Sequence, residues 1–246
     1  MTIDELYESP VVQAARHDLA VALRAADHFG YSEGICNHFS LMLTDGSDRF
    51  LINPRGIHWS MMTADDIVLV DAHAQRLAGR HDVEPTAAFI HAAIHRGTGH
   101  QCVLHTHMPY ATALTLTKDG VPDTTLSQNA MRFHRRIAYD STYGGLALDA
   151  TEGERIAAAI DGRDIAFLAN HGVIVCGEKV SYAFDDLYYL EIACRLEMIA
   201  AASGRPLAPV SDNLAMHVRR QFEDERAQSD LFFASLKQRI GEYRPA

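Results

Sequence analysis

The stretch CVLHTHMPYA, residues 102–111, puts two imidazoles one residue apart at the end of an apolar run. Cys102, Val103 and Leu104 read as a buried strand. Strand residues i and i+2 share a face, so His105 and His107 converge while Thr106 points away. Two neutral imidazoles aimed at one point suit a divalent ion such as zinc, whose bonds to nitrogen are about 2.0–2.1 Å long. A second apolar run, DIAFLAN (164–170), breaks at Asn170-His171-Gly172 before VIVCG (173–177). Glycine in such a break lets backbone bend or come close to a neighbour, and His171 is the candidate third ligand. Three histidines leave a coordination position open, which is the pattern of a catalytic site.

The rest of the chain arranges itself around these two runs. Val11, Val12, Ala15, Leu19, Leu23 and Ala26 recur at helical spacing, and Gly30 closes that helix. ICNHFSLML (35–43) and RFLIN (49–53) read as strands of a hairpin turning at Thr44-Asp45-Gly46-Ser47. TADD (63–66) turns into a third strand, IVLVD (67–71), and a loop follows. Pro85 opens a helix through TAAFIHAAIHR, and MPYATALTLTK (108–118) reads as another. Thr151-Glu152-Gly153-Glu154 has the form of a capping box for a helix ending near Asp161-Gly162. A long helix spans about Tyr182 to Ser203, and an amphipathic helical extension occupies residues 205–246. Strands and helices mix without a strict βαβ repeat. The expected fold is a single α/β domain over residues 1–246, a three-layer α/β/α arrangement with a central, mainly antiparallel mixed sheet.

Composition narrows the function. The chain is 48% hydrophobic and 22% charged, enough for a proper core. A net charge of −10, with no stripe of Lys and Arg, argues against a nucleic-acid partner. No apolar run reaches the ~18 residues of a membrane span. The start MTIDELYESP is acidic and polar, unlike a signal peptide, so a cytoplasmic location is expected. Cys36, Cys102, Cys176 and Cys194 form no CxxC and read as small buried hydrophobes.

With those residues in place, the sequence resembles the class II aldolase/adducin family. GICNHFSL (34–41), LINPRGIHWSMMTADDIVLVD (51–71), IHAAIHR (90–96), His105-Thr106-His107 and LANHG (168–172) follow in family order at family-like spacing. The resemblance implies a sheet covered by helices, a homo-oligomer assembled as a tetramer with sites at subunit interfaces, and His105, His107 and His171 as ligands of one divalent ion per subunit. Zinc is the first expectation, with manganese, iron or cobalt as alternatives.

The chain departs from the sugar-phosphate enzymes of that family. They carry two serines and then an acid four residues before the helix histidine that matches His91. Here Pro85 and Thr86 stand for the serines and Ala87 for the acid. Where those enzymes place Thr-x-Gly-Asn, this chain has Ile35-Cys36-Asn37-His38. A helix start rich in hydroxyls is a phosphate site, and Pro85 even removes one N–H, so a non-phosphorylated substrate is expected.

The candidate catalytic groups are Glu84, just before the helix, with His38 and His91. Asn37, Arg55 and Arg132 are candidates for binding substrate, the two arginines as carboxylate clamps. Tyr139 and Tyr143 could equally face an interface or the core. The function read from this set is a metal-dependent carbon–carbon lyase acting on a small hydroxy acid, oxo acid or aromatic carboxylate. Retro-aldol cleavage and decarboxylation share a metal-stabilised enolate, and the sequence does not separate them. Two other readings stay open: a non-catalytic adducin-like scaffold, and an iron-dependent oxygenase built on the same histidines.

Overall fold

The structure is a computed structural model and describes residues 1–145 and 150–241. Its helices are α1 (Ile3–Tyr7), α2 (Pro10–His28), α3 (Pro85–Thr98), α4 (Pro109–Thr115), α5 (Gln128–Met131), α6 (Ala150–Ile160), α7 (Val180–Ala202), α8 (Asp212–Asp224) and α9 (Gln228–Ile240). Its strands are β1 (His38–Met42), β2 (Phe50–Ile52), β3 (Val68–Val70), β4 (Arg76–Ala78), β5 (Cys102–Thr106), β6 (Ile137–Asp140), β7 (Ile165–Leu168) and β8 (Gly172–Gly177). They form one sheet in the order β4-β3-β2-β1-β5-β8-β7-β6. Every neighbouring pair is antiparallel except β6 with β7. The mainly antiparallel, mixed sheet is therefore as expected.

Side chains alternate across this sheet and so build two cores. On one face Phe39, Leu51, Leu69, Leu104, Val173 and Phe167 pack with Leu19 and Leu23 of α2 and Phe184 and Leu187 of α7. On the other, Val103, Ile174, Cys176 and Ala166 meet Ala93 and Ile94 of α3 and Ile156 and Ile160 of α6. Phe50, Ile52, Val68 and Val70 continue that second face under Ala92. The result is three layers. The α3–α6 contact is close because Gly153 has no side chain: a Cβ there would lie 3.0 Å from the Phe89 carbonyl oxygen.

Local signals explain the helix ends. The Ser9 hydroxyl accepts from the Val12 N–H ahead of Pro10, and Pro85 opens α3. Gly30 and Gly99 take positive φ just past α2 and at the end of α3. The capping-box reading fails, because Thr151 lies inside α6 and not ahead of it. The strand read from residue 35 begins only at His38, since Asn37 has φ 73° and breaks the extended backbone. The helix read over 108–118 stops at Thr115. Two edge strands, β4 and β6, and the short helices α1 and α5 carry too little pattern to be read from sequence.

The tail folds back as two helices. On α9, Phe233 and Leu236 enter the core beside Phe184. Arg226 donates to Asp186 of α7, and Lys179 and Ser181 both donate to Asp230. Among the described residues no helix is long and apolar enough to cross a membrane. Cys102, Cys176 and Cys194 are buried as read, whereas Cys36 is exposed.

A candidate metal centre at the end of the sheet

His105 lies near the end of β5, opposite His38 of β1 and Ile174 of β8. His107 follows one residue past the strand. His171 sits in the tight link between β7 and β8, where Asn170 takes φ 57°. The three rings face one another edge to face, with centroids 5.1, 4.8 and 4.9 Å apart. One nitrogen from each lies within 4.8 Å of the other two.

The outer nitrogens of two rings are already committed. His105 Nδ1 lies 3.0 Å from the Val173 carbonyl oxygen, which can only accept, so Nδ1 carries the proton. His107 Nδ1 lies 2.5 Å from a Glu33 carboxylate oxygen and donates in the same way. Both rings therefore turn an Nε2 lone pair inward. The outward bonds to a carbonyl and a carboxylate match the partners that orient metal-bound histidines. His107 Nε2 is buried and has no hydrogen-bond partner among the described residues, and leaving such an atom unpaired is costly unless something binds it. Burial holds His105 well below its ordinary pKa and brings His171 down to about 4, so both are neutral at pH 7. Neutral nitrogen donors around an open point fit a borderline divalent cation.

Sequence spacing does not reveal Glu33, because its partner is 74 residues away. Replacing it tests the outward bond. Glu33→Gln keeps the shape but removes the charge that strengthens His107 as a donor to metal, so zinc affinity should fall by about tenfold to a hundredfold. Competition with a chromophoric chelator measures this, and an unchanged affinity would show that the Glu33 contact does not support the ligand.

The other candidate residues divide into two groups. His38 and His91 lie on the same face as His105, with rings 6.4 Å apart, and they are 8% and 1% exposed. Burial pushes His38 down to about 4 and holds His91 well below its ordinary pKa. Ala87, one turn before His91 on the same side of α3, is buried as well. Asn37 is buried next to His38 in the left-handed region, where Asn is tolerated better than most residues. Its carbonyl accepts from Asn53, and its side-chain N–H group has no partner among the described residues. Tyr143 is exposed, with its ring 6.2 Å from that of His171.

Arg55 and Glu84 pair with each other at 3.2 Å. Their remaining hydrogen bonds, among the described residues, run to Asp82, Thr86 and Ala88 and not to the histidines. Arg132 is a correction. Its guanidinium donates to Asp185 at 2.8 Å and stacks on Tyr189 and Phe222. It lines a cleft with Cys176 and Gly177, at the far end of β8. At ~3.3 Å per residue that end lies about 17 Å from Gly172, so Arg132 is out of reach of a substrate bound at the histidines of its own chain.

The family model described as class II aldolase and adducin N-terminal domain matches residues 17–198. The chain belongs to this family. It is 30% identical to decarboxylase NovR of Streptomyces niveus, over 76% of this chain and 70% of that one. It is also 30% identical to a 4-hydroxy-3-prenylphenylpyruvate oxygenase/4-hydroxy-3-prenylbenzoate synthase of Streptomyces roseochromogenus, over 75% of this chain and 67% of that one. Among solved structures, an aldolase II superfamily protein from Pseudomonas syringae superposes with a TM-score of 0.85 at 30% identity, covering 96% of this chain and 97% of that one. The fold of the class II aldolases is thus established for this chain, and its family includes lyases and adducins.

Proposed function

We propose that the protein is a divalent-metal-dependent lyase that cleaves a carbon–carbon bond in a small, non-phosphorylated hydroxy acid, oxo acid or aromatic carboxylate. The observation that carries this reading is the inward turn of His105 and His107. Each has its outer nitrogen proton held by an acceptor, and His107 Nε2 is buried without a partner among the described residues. A scaffold has no use for such an atom. His105, His107 and His171 would hold the ion, zinc before manganese, iron or cobalt. When bound, the ion supplies Lewis acidity, taking up negative charge that develops on a substrate carbonyl oxygen.

The remaining residues act around that point. Asn37 offers an unpartnered amide donor. His38 and His91 are neutral imidazoles able to accept a hydrogen bond or proton at the same face. Glu84 supplies a carboxylate, and Arg55 a cation paired with it, at the start of α3, where the family's acid and two serines are replaced by Ala87, Pro85 and Thr86. That replacement supports a substrate without phosphate. The names of the two Streptomyces relatives, a decarboxylase and an oxygenase/benzoate synthase, support an aromatic or 2-oxo acid.

The test is to load the protein separately with zinc, manganese and iron and supply 2-hydroxy acids, 2-oxo acids and catechol carboxylates. Release of carbon dioxide or an aldehyde should stop on adding a chelator and return with one metal. Cleavage that persists after complete metal removal would overturn the reading. The second reading, an iron-loaded oxygenase, is favoured by the similarity to the prenylphenylpyruvate oxygenase. Stoichiometric oxygen consumption would mark it.

A further inference from the structure

A chain of three buried groups joins α3 to β1, two residues along that strand from His38, the partner of His105. His95 Nδ1 lies 2.8 Å from the His100 carbonyl oxygen. His95 Nε2 lies 2.8 Å from the Ser40 hydroxyl, and the same hydroxyl lies 2.5 Å from His91 Nδ1. Ser40 and His91 are 0% and 1% exposed, and His95 is 6% exposed. All three are thus largely shielded from bulk water.

The proton positions follow from donor and acceptor arithmetic. A carbonyl only accepts, so His95 Nδ1 is protonated. Burial brings His95 down to about 4 and holds His91 well below its ordinary pKa, so both rings carry a single proton at neutral pH. His95 Nε2 is then a bare acceptor, and the Ser40 O–H must donate to it. Ser40 has one proton, so toward His91 its oxygen accepts, and His91 Nδ1 is protonated. His91 Nε2 is left as a lone pair, and no hydrogen bond reaches it among the described residues.

The position of that lone pair matters. Ser40 and His38 share a face of β1, and His38 pairs in register with His105. Helical side chains lean toward the helix N-terminus, and α3 starts at the same end of the sheet as His38, since His91 bonds Ser40 while His95 packs on Phe50 farther along. His91 thus leans toward the triad.

We propose that Ser40 and His95 are positioning residues that lock His91 as a hydrogen-bond acceptor facing the substrate, so that the substrate group it meets is a hydroxyl and not a carboxylate or phosphate. This rests on the reading of the triad as a metal site, and it narrows the substrate class to acids bearing a hydroxyl beyond the two metal-chelating oxygens. The physical basis is a mismatch. A lone pair on a largely desolvated ring welcomes an O–H donor but repels an anionic oxygen, and the ring resists the proton that would relieve the repulsion.

Two measurements test it independently. Nitrogen-15 NMR of the imidazoles, on protein with and without zinc, should show His91 with Nδ1 protonated and Nε2 bare. Ser40→Ala should lose that fixed tautomer and Ser40→Thr should keep it. Calorimetry on the zinc-loaded protein then compares glycerate, lactate and tartronate, which share a 2-hydroxycarboxylate head and end in hydroxymethyl, methyl and carboxylate. Glycerate should bind roughly tenfold tighter than lactate, the effect of one added hydrogen bond, and tartronate should bind more weakly than glycerate. The preference should collapse in Ser40→Ala and in His91→Gln, whose amide flips to present donor or acceptor, with zinc content unchanged. A protonated His91 Nε2 in the parent overturns the proposal. So does a preference that survives both variants, or is absent from a parent that holds its zinc. A parent that takes up no zinc refutes the metal reading instead, while the NMR result still decides the tautomer.

Discussion

His171→Ala should leave the protein folded and strip its metal. Purified without added metal, the parent should carry about one divalent ion per chain, and the variant less than about a tenth of that after dialysis. The reason is the donor count. His105 and His107 are aimed by Val173 and Glu33, but two nitrogens alone leave half of a tetrahedral shell to water. Loss of an outward partner alone lowers metal affinity about 10–100-fold, and loss of a ligand should exceed that, abolishing turnover with it. Folding should hold, because His171 contributes to the β7–β8 link through its backbone N–H to the Leu168 carbonyl, which alanine retains. A catalytic ion also contributes less to folding than a structural one. Elemental analysis and thermal melting of parent and variant together decide it. Full metal in the variant, or an unfolded variant, would sink the assignment of His171.

Much of this centre is legible in the amino-acid sequence, and for a physical reason. The pair His105 and His107 sits at the end of a five-residue strand whose period of two aims both rings the same way, and His171 interrupts two apolar strands that pair with each other. Such information is local, or repeated between neighbouring strands. The fold class is legible for the same reason, since the long helices and central strands carry strong periodicity.

The features that sequence does not disclose depend on register between distant segments. Ser40 meets His91 only because β1 lies under α3, and Glu33 reaches His107 only because the loop before β1 crosses the end of β5. One signal is available: His91 and His95 are four residues apart and so share a helix face. Arg132 misleads for the opposite reason. A cation next to an apolar stretch looks like a free clamp until Asp185, 53 residues on, is found to neutralise it. β4 and β6 escape notice because each is short and lies at a sheet edge, where one side needs no apolar pattern.

Gly172→Ala is the second large effect expected, and it should separate geometry from ligand count. A Cβ at Gly172 would lie 2.6 Å from the Thr106 carbonyl oxygen and 2.6 Å from His107 Cδ2. The first is backbone of β5 and the second a ring pinned through Nδ1 to Glu33, so neither is a flexible tip that can swing aside. Thr106 is also paired in register with Val173, the next residue, so relief must open the β5–β8 ladder at its end. Overpacking of this kind costs about 1–3 kcal/mol, which for a chain of this size lowers Tm by several degrees, at roughly 2–4 °C per kcal/mol. Because the same methyl pushes His107, metal affinity should fall at least about tenfold although all three histidines remain. Gly162→Ala supplies the contrast. Gly162 has φ 69° with open space around it, so alanine there costs backbone strain of about 1–2 kcal/mol and should leave metal binding untouched. The glycine in Asn170-His171-Gly172 is thus required for close approach, not for an unusual φ. A Gly172→Ala protein with full metal affinity and unchanged Tm would show that the strand end yields, and that the triad tolerates far more movement than its fixed outer hydrogen bonds imply.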